Sequence, residues 1–255
     1  MGAEDPKDTT SKANGWPGLV RAERYNDEVN RAFYRAAVAR LLEDAPVLSG
    51  RGLDLGCGTG FSLESLVQER SDVTWTGADS SRKMLELARR KAGTRAVSLC
   101  EARAEALPFT DASFDVVVAN FSWHWFGTEA GHEVRRVLRP GGWFLASVPL
   151  RRLSNAPGNR ALARELLAGR SHFVRRSSQG FRFADVPDVL PGEVRIVRHE
   201  LVVVSERFSD GGQLLGVLRS RGALAAIFGD QPPAAIVAPS PVDFEWPFAV
   251  LHAQV

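Results

Sequence analysis

The chain holds only two cysteines in 255 residues. Cys57 and Cys100 lie far apart and fit no metal-binding or redox spacing. No disulfide framework is expected, and a reducing cytoplasm is the expected location. Lysine is scarce too, confined to Lys7, Lys12, Lys83 and Lys91, so arginine carries almost all the positive charge. The 32 basic residues nearly balance 30 acidic ones. The molecule as a whole is therefore no polycation, and no recognised nucleic-acid module is present. No apolar run approaches the roughly 20 residues of a membrane helix. The opening stretch MGAEDPKDTTSKANG lacks the apolar segment of a signal peptide. Pro6 stands where a myristoylation site needs Ser or Thr. These first residues are expected to be mobile. No internal repeat and no metal-ligand cluster is visible.

What is present is a rhythm. Arg21 to Leu42 reads as a helix, with Val29, Phe33, Ala36, Ala37 and Leu41 at helical spacing. Pro46 ends it. The run GLDL is a short buried strand that stops at glycines. Ser62–Arg70 and Ser81–Ala92 read as helices, and Val73–Asp79, AVSLCE and Phe114–Asn120 as strands. Phe114–Asn120 is apolar on both faces, as a central parallel strand should be. Glu129–Leu138 is helical, Pro140-Gly141-Gly142 breaks it, and WFLASVP is a fifth strand. Later, Ala161–Leu167 and Gln213–Phe228 read as helices and Val194–Val204 as a long strand. FEWPFAVLHAQV is a last strand, where Pro247 favours an edge or a bulge. Alternating strands and helices predict an α/β fold. The expected architecture is a Rossmann-like doubly wound sheet, mostly parallel with an antiparallel last strand, plus helical lid segments.

The stretch GLDLGCGTG, Gly52 to Gly60, is the focus. A glycine turn at the carboxyl end of a strand brings a ligand against backbone N–H groups. A P-loop would need Gly-Lys-Ser/Thr at its end, and no lysine follows. A dinucleotide fingerprint needs a small residue where Phe61 stands. The spacing is Gly-x-Gly-x-Gly, with Asp54 before it and Asp79 ending the next strand, nineteen residues after Gly60.

That pattern resembles the first motifs of class I S-adenosylmethionine-dependent methyltransferases. AEALPFTDASFDVVVANFSWHWF and EVRRVLRPGGWFLASVP extend the resemblance over about residues 47–149. The layout is similar to that of malonyl-acyl-carrier-protein and trans-aconitate methyltransferases. The resemblance implies S-adenosylmethionine as cofactor. It implies that Asp54, Gly56, Cys57, Gly58 and Gly60 serve the amino acid moiety and that Asp79 holds the ribose hydroxyls. It also implies that Ser80 and Met84 flank ribose and adenine. The backbone at Ala104 and Glu105 would meet the adenine edge, and Asn120 would lie near the amino acid end. Relatives often carry an aspartate where this chain has Arg103. The implied layout is a tail and helical lid over 1–46 and a cofactor core over 47–149. A substrate lid over 150–193 follows, and strands and a helix over 194–255 complete the same domain.

Methyl transfer needs a base only if the acceptor must lose a proton. In NFSWHWF, His124 is the candidate base. Trp123 and Trp125 are candidate substrate walls, with Tyr25 and Arg175 as further substrate contacts. Asn120 is followed by Phe121-Ser122-Trp123, which argues against the Asn-Pro-Pro-Tyr amino methyltransferases. From Arg139 to Arg182 there are nine arginines and one acid, Glu165. That local charge of about +8 would attract an anionic substrate or an acidic carrier protein. The expected function is a small-molecule methyltransferase in biosynthesis, its substrate free or on an acyl carrier protein, with no nucleic acid and no membrane as partner. The alternatives are a non-methylating reaction such as a cyclisation on the same cofactor, or a non-catalytic binding protein.

Overall fold

The computed structural model describes residues 26, 28–46, 48–91, 94, 97–150, 159, 183–221, 235–236 and 240–255. Arg21, Tyr25, Arg175, the expected helix at Ala161–Leu167 and every arginine of the 139–182 run except Arg139 lie outside them.

The described elements run in order. They are α1 (Glu28–Leu42), β1 (Gly50–Leu55), α2 (Phe61–Glu69), β2 (Val73–Asp79), α3 (Arg82–Arg89), β3 (Ser98–Glu101) and β4 (Phe114–Asn120). A 3₁₀ turn at Trp123–Trp125, α4 (Glu129–Val137), β5 (Leu138–Pro149) and a 3₁₀ segment at Phe183–Val189 follow. The chain then forms β6 (Arg195–Phe208), α5 (Gly211–Ser220) and β7 (Val242–Gln254). The strands form one seven-stranded sheet in the order β3-β2-β1-β4-β5-β7-β6. β1 to β5 pair in parallel, and β7 runs antiparallel to both β5 and β6. The sheet is thus the predicted doubly wound one, with a single reversed strand.

Two differences from the sequence reading have local causes. β7 is not an edge strand, because β6 pairs along its outer side. Pro247 is nonetheless accommodated. The ladder with β5 ends at Pro149↔Phe248, so Pro247 has a strand neighbour only at Val203. Pro140-Gly141-Gly142 does not separate helix from strand. Phe114 pairs with Leu138 and Val116 with Trp143, so the extra residues are absorbed as an irregularity inside β5.

Apolar residues cover both faces of the sheet. On one, Ala37, Val38 and Leu41 of α1, Leu63 and Leu66 of α2 and Leu85 of α3 pack on Val116, Val118 and Leu145. On the other, Ala130, Val134 and Val137 of α4 pack with Leu53, Leu55, Phe144 and Ala146. Val186 and Leu190 close that second layer, so the 3₁₀ segment inside the expected 150–193 insertion belongs to the core. α3 shows how sequence makes a helix here. The Ser81 hydroxyl accepts the Met84 N–H at 3.3 Å as N-cap, and Met84, Leu85 and Ala88 form the buried stripe.

The C-terminal end of α1 is capped from a distant strand. Arg198 of β6 donates to the carbonyl of Arg40 at 3.1 Å and to that of Glu43, and it also pairs with Glu200. A cation on the last carbonyls of a helix satisfies orphan acceptors and complements the helix dipole. The Arg198 side chain is only 9% exposed, and truncation removes the one cationic donor that both carbonyls share. Arg198→Ala should lower unfolding stability by about 1.5–3 kcal/mol, read from the urea midpoint at constant slope.

Candidate functional site

The carboxyl ends of β1, β2 and β4 converge on the glycine turn. Gly56, Gly58 and Gly60 have φ of +74°, +53° and +87°, conformations that side chains rarely adopt. The N–H groups of Gly56 and Cys57 both donate to the Ala78 carbonyl, at 2.7 and 3.0 Å, so the turn is stitched to the end of β2. Gly60 N–H donates to Cys57 and opens α2. Gly56 carries a second constraint. A Cβ there would lie 2.5 Å from Ser122 Cβ, and Ser122 donates to the Leu55 carbonyl at 2.6 Å. The loop after β4 therefore closes over the turn after β1.

Asp79 does not cap α3, since Ser81 does. Its Oδ2 accepts the Gly58 N–H at 2.9 Å and its Oδ1 the Ser81 N–H at 2.8 Å. Burial raises its pKa against those two hydrogen bonds, which lower it. Asp54 is 1% exposed, and neither carboxylate oxygen has a hydrogen-bond partner. Burial, with Asp79 as a second cause, pushes its pKa up to about 8. Of the two neighbouring carboxyls, Asp54 is unpartnered and shut off from water, and Asp79 is half-buried and hydrogen-bonded. The structure thus carries a buried polar group with no partner of its own, a place for a donor or a cation.

The other sequence-predicted residues surround this point. Met84 is buried in the first turn of α3, and Ser80 is exposed just past Asp79. Ala104 is buried and Glu105 half-buried in the loop after β3. Glu105 accepts the Gly127 N–H at 2.7 Å and lies 3.5 Å from Arg103, so that loop is tied to the one after β4. Cys57 is buried beside both aspartates, with its thiol pKa pushed up by burial. Asn120 ends β4 with its amide engaged on both sides. Nδ2 donates to Ser62 Oγ at 2.8 Å, and Oδ1 accepts from Ser147. Trp123 turns into the core, its ring 4.9 Å from Phe144 and 5.7 Å from Phe126. His124 and Trp125 remain half-buried beside each other, ring centroids 4.5 Å apart. Tyr25 and Arg175 lie outside the described residues.

Several residues inside the quoted stretches were not singled out from the sequence. Thr59 is 1% exposed, with its hydroxyl unpartnered inside the glycine turn. Phe121 has φ of +52°, the left-handed region, directly after β4. Arg136 of the RRVLRPGG stretch donates to the carbonyls of Leu107 and Phe109 at 3.0 and 2.7 Å. Its partner Glu133 accepts the Leu107 N–H at 2.7 Å, and together they pin the loop after β3. Ser62, Ser122 and Ser147 could be found only as spatial neighbours of Asn120 and Gly56. Among the described residues, no group of three or more His, Cys, Asp or Glu side chains could hold a metal, and no helix is long and apolar enough to cross a membrane.

A glycine turn at the β1 end of a doubly wound sheet, followed by an acid ending β2, defines an adenosine-binding α/β protein. The unpartnered Asp54 beside Asp79 suits a ligand that is cationic and carries no phosphate. S-adenosylmethionine, with its ammonium and sulfonium, fits that demand. The comparisons agree. The family model described as "Methyltransferase domain" matches residues 53–146. The phthiotriol/phenolphthiotriol dimycocerosates methyltransferase of Mycobacterium tuberculosis is 30% identical over 225 residues, 74% of this chain and 75% of that protein. The demethylmenaquinone methyltransferase of Deinococcus radiodurans is 40% identical over 118 residues, 45% of this chain and 48% of that protein. The chain spans about half the length of the demethylmenaquinone methyltransferases it matches. A Bacillus halodurans crystal structure described as a methyltransferase superposes with a TM-score of 0.58 at 18% identity, covering 86% of this chain and 98% of the other. That likeness is one of fold. The chain belongs to the S-adenosylmethionine-dependent methyltransferase family, and its cofactor is S-adenosylmethionine.

The aspartate pair gives a pH dependence to test. Below pH 8 the ligand-free Asp54 holds its proton, because burial disfavours the carboxylate. A cation seated against Asp54 would favour the carboxylate and expel that proton. S-adenosylmethionine affinity should therefore rise with pH up to about 8, by at most about tenfold per unit. Calorimetry in buffers of different ionisation heat should show up to one proton released, and Asp54→Asn should abolish both effects.

Proposed function

We propose that this chain methylates an oxygen of an anionic small molecule, free or held on an acyl carrier protein, in biosynthetic metabolism. S-adenosylmethionine supplies an activated methyl group on a sulfonium. In this reading Asp54 meets the ammonium of the cofactor and Asp79 the ribose hydroxyls. Ser80 and Met84 flank ribose and adenine, and the backbone at Ala104 and Glu105 meets the adenine edge. Gly56, Cys57, Gly58 and Gly60 leave room for the amino acid part, with Asn120 holding the end of β4 beside it. Trp125, with Tyr25 and Arg175, contacts the acceptor. Trp123 supports that wall from the core. In the segments 1–46 and 150–193, expected to cover the site, the described α1 and Val186 and Leu190 pack on the sheet, and the remaining covering part lies outside the described residues.

One observation carries the acceptor class. His124 Nδ1 is buried without a partner, and burial pulls its pKa down to about 3. So weak a base removes few protons from a hydroxyl or an ammonium at neutral pH. A carboxylate needs no base. His124 then serves as a neutral orienting group, and the protein's work is to align the acceptor and exclude water. The arginine-rich stretch from Arg139 to Arg182 supports an anion as well.

Labelled S-adenosylmethionine should transfer its methyl group to acyl carboxylates and not to the matching alcohols; label found only on alcohols or amines removes the carboxylate reading. His124→Gln should lower kcat by less than about 100-fold, below the 10²–10⁴ of a general base. It should also leave the rate profile between pH 6 and 8 without a new or lost ionisation.

A further inference from the structure

Lys91, just past the end of α3, belongs to none of the cofactor motifs, yet it reaches the glycine turn. The residue is 8% exposed. Its Nζ donates to the Thr59 carbonyl at 2.5 Å and to Asn26 Oδ1, and it lies 4.3 Å from the centroid of the Phe61 ring. An ammonium has three donors and no acceptor. Here two go to named oxygens, and the charge rests against an aromatic face. The charged groups around it are Glu64 of α2 and Arg31 and Glu28 of α1. Arg31 lies 3.5 Å from Glu64, so the group is one connected set of charges.

The base of this side chain is fixed as well. Thr94 Oγ1 donates to the Lys91 carbonyl at 3.1 Å and to that of Ala88. A Cβ on Gly60 would lie 3.1 Å from Ala88 Cβ and 3.4 Å from Thr94 Cγ2, so the segment after α3 presses directly on the turn. Thr59 sits between two glycines, where side chains impose little on the backbone. Its peptide is held at the N–H side by the Gly60-to-Cys57 bond within the turn, and Lys91 is the group outside the turn that meets its carbonyl. Asn26 lies two residues before α1. One ammonium thus joins the cofactor turn, α2 through Phe61, and the head of α1.

We propose that Lys91 is a positioning residue for S-adenosylmethionine: it holds the Thr59 peptide of the glycine turn in its binding orientation and locks Asn26, at the head of α1, to the same turn. The inference rests on the cofactor assignment above. It assigns the start of α1 a part in cofactor affinity without direct contact. Burial lowers the pKa of this amine to about 8, with Glu64 opposing that shift. Above that pH the charge-assisted bond to Thr59 weakens, so wild-type affinity should fall again on the alkaline side.

The test is calorimetric titration of the full chain with adenosylhomocysteine from pH 6 to 9. Lys91→Met, which keeps the stem, should weaken binding by about tenfold, the worth of one charge-assisted hydrogen bond. It should also remove the fall above pH 8. Asn26→Ala should weaken binding a few-fold in the wild-type background and add nothing in Lys91→Met, because the two act through one contact. Lys91→Met with unchanged affinity and only a lowered Tm would reduce the lysine to a structural role and overturn the proposal. Should Lys91→Met not fold, Asn26→Ala decides alone, and wild-type affinity in that variant at every pH overturns it. Wild-type protein that fails to bind adenosylhomocysteine at all would instead sink the cofactor assignment, a result separate from any effect of the variants.

Discussion

The seam between the glycine turn and the end of β2 is the constraint on which the site depends. Gly56 and Cys57 share the Ala78 carbonyl, and Gly58 donates to Asp79. These three bonds bring the ends of two adjacent parallel strands together while turning the chain into α2. They also draw the Asp79 carboxyl close enough to raise the pKa of Asp54. The same close approach leaves no room for a Cβ at Gly56, where Ser122 arrives from the loop after β4. One seam thus joins three strand ends and sets the two carboxyls side by side. A cation seated against Asp54 would favour its carboxylate over the protonated form that burial holds in the free site.

The surrounding elements keep this seam rigid from different directions. Arg136 and Glu133 of α4 hold the loop after β3. Asn120, Ser62 and Ser147 link β4, α2 and β5 in a buried polar chain. Phe121, next in sequence, takes a left-handed conformation, and its ring meets Phe33, Tyr34 and Phe248. Such strain persists only where packing over-determines it. The polar half of the site is therefore set by hydrogen bonds and its apolar rim by aromatic packing.

Most of the fold was legible in order and type. Val73–Asp79 and Phe114–Asn120 have the predicted bounds, because β-rich apolar runs between polar stops leave little choice. The Pro-Gly-Gly stretch misled, since a local break signal cannot reveal that a parallel neighbour will absorb the extra residues. Pro247 misled for a related reason. Its tolerance depends on where β5 stops, a fact about another strand. Within the site, Asp54 and Asp79 were visible as acids at strand ends. That Asp54 would be left without a partner was not.

By itself the sequence determined the alternation of elements, the glycine turn and its flanking acids, because periodicity and backbone freedom are local properties. Those were enough to exclude a phosphate cradle, through the missing lysine, and a dinucleotide turn, through Phe61. Tertiary structure decided what these residues meet. It placed Trp123 in the core, left the buried His124 Nδ1 without a partner and left the Asp54 oxygens unpartnered. It also carried Lys91 to the Thr59 carbonyl, 32 residues away along the chain. Burial and long-range hydrogen bonding depend on distances between segments far apart in the chain, and no local pattern encodes those distances.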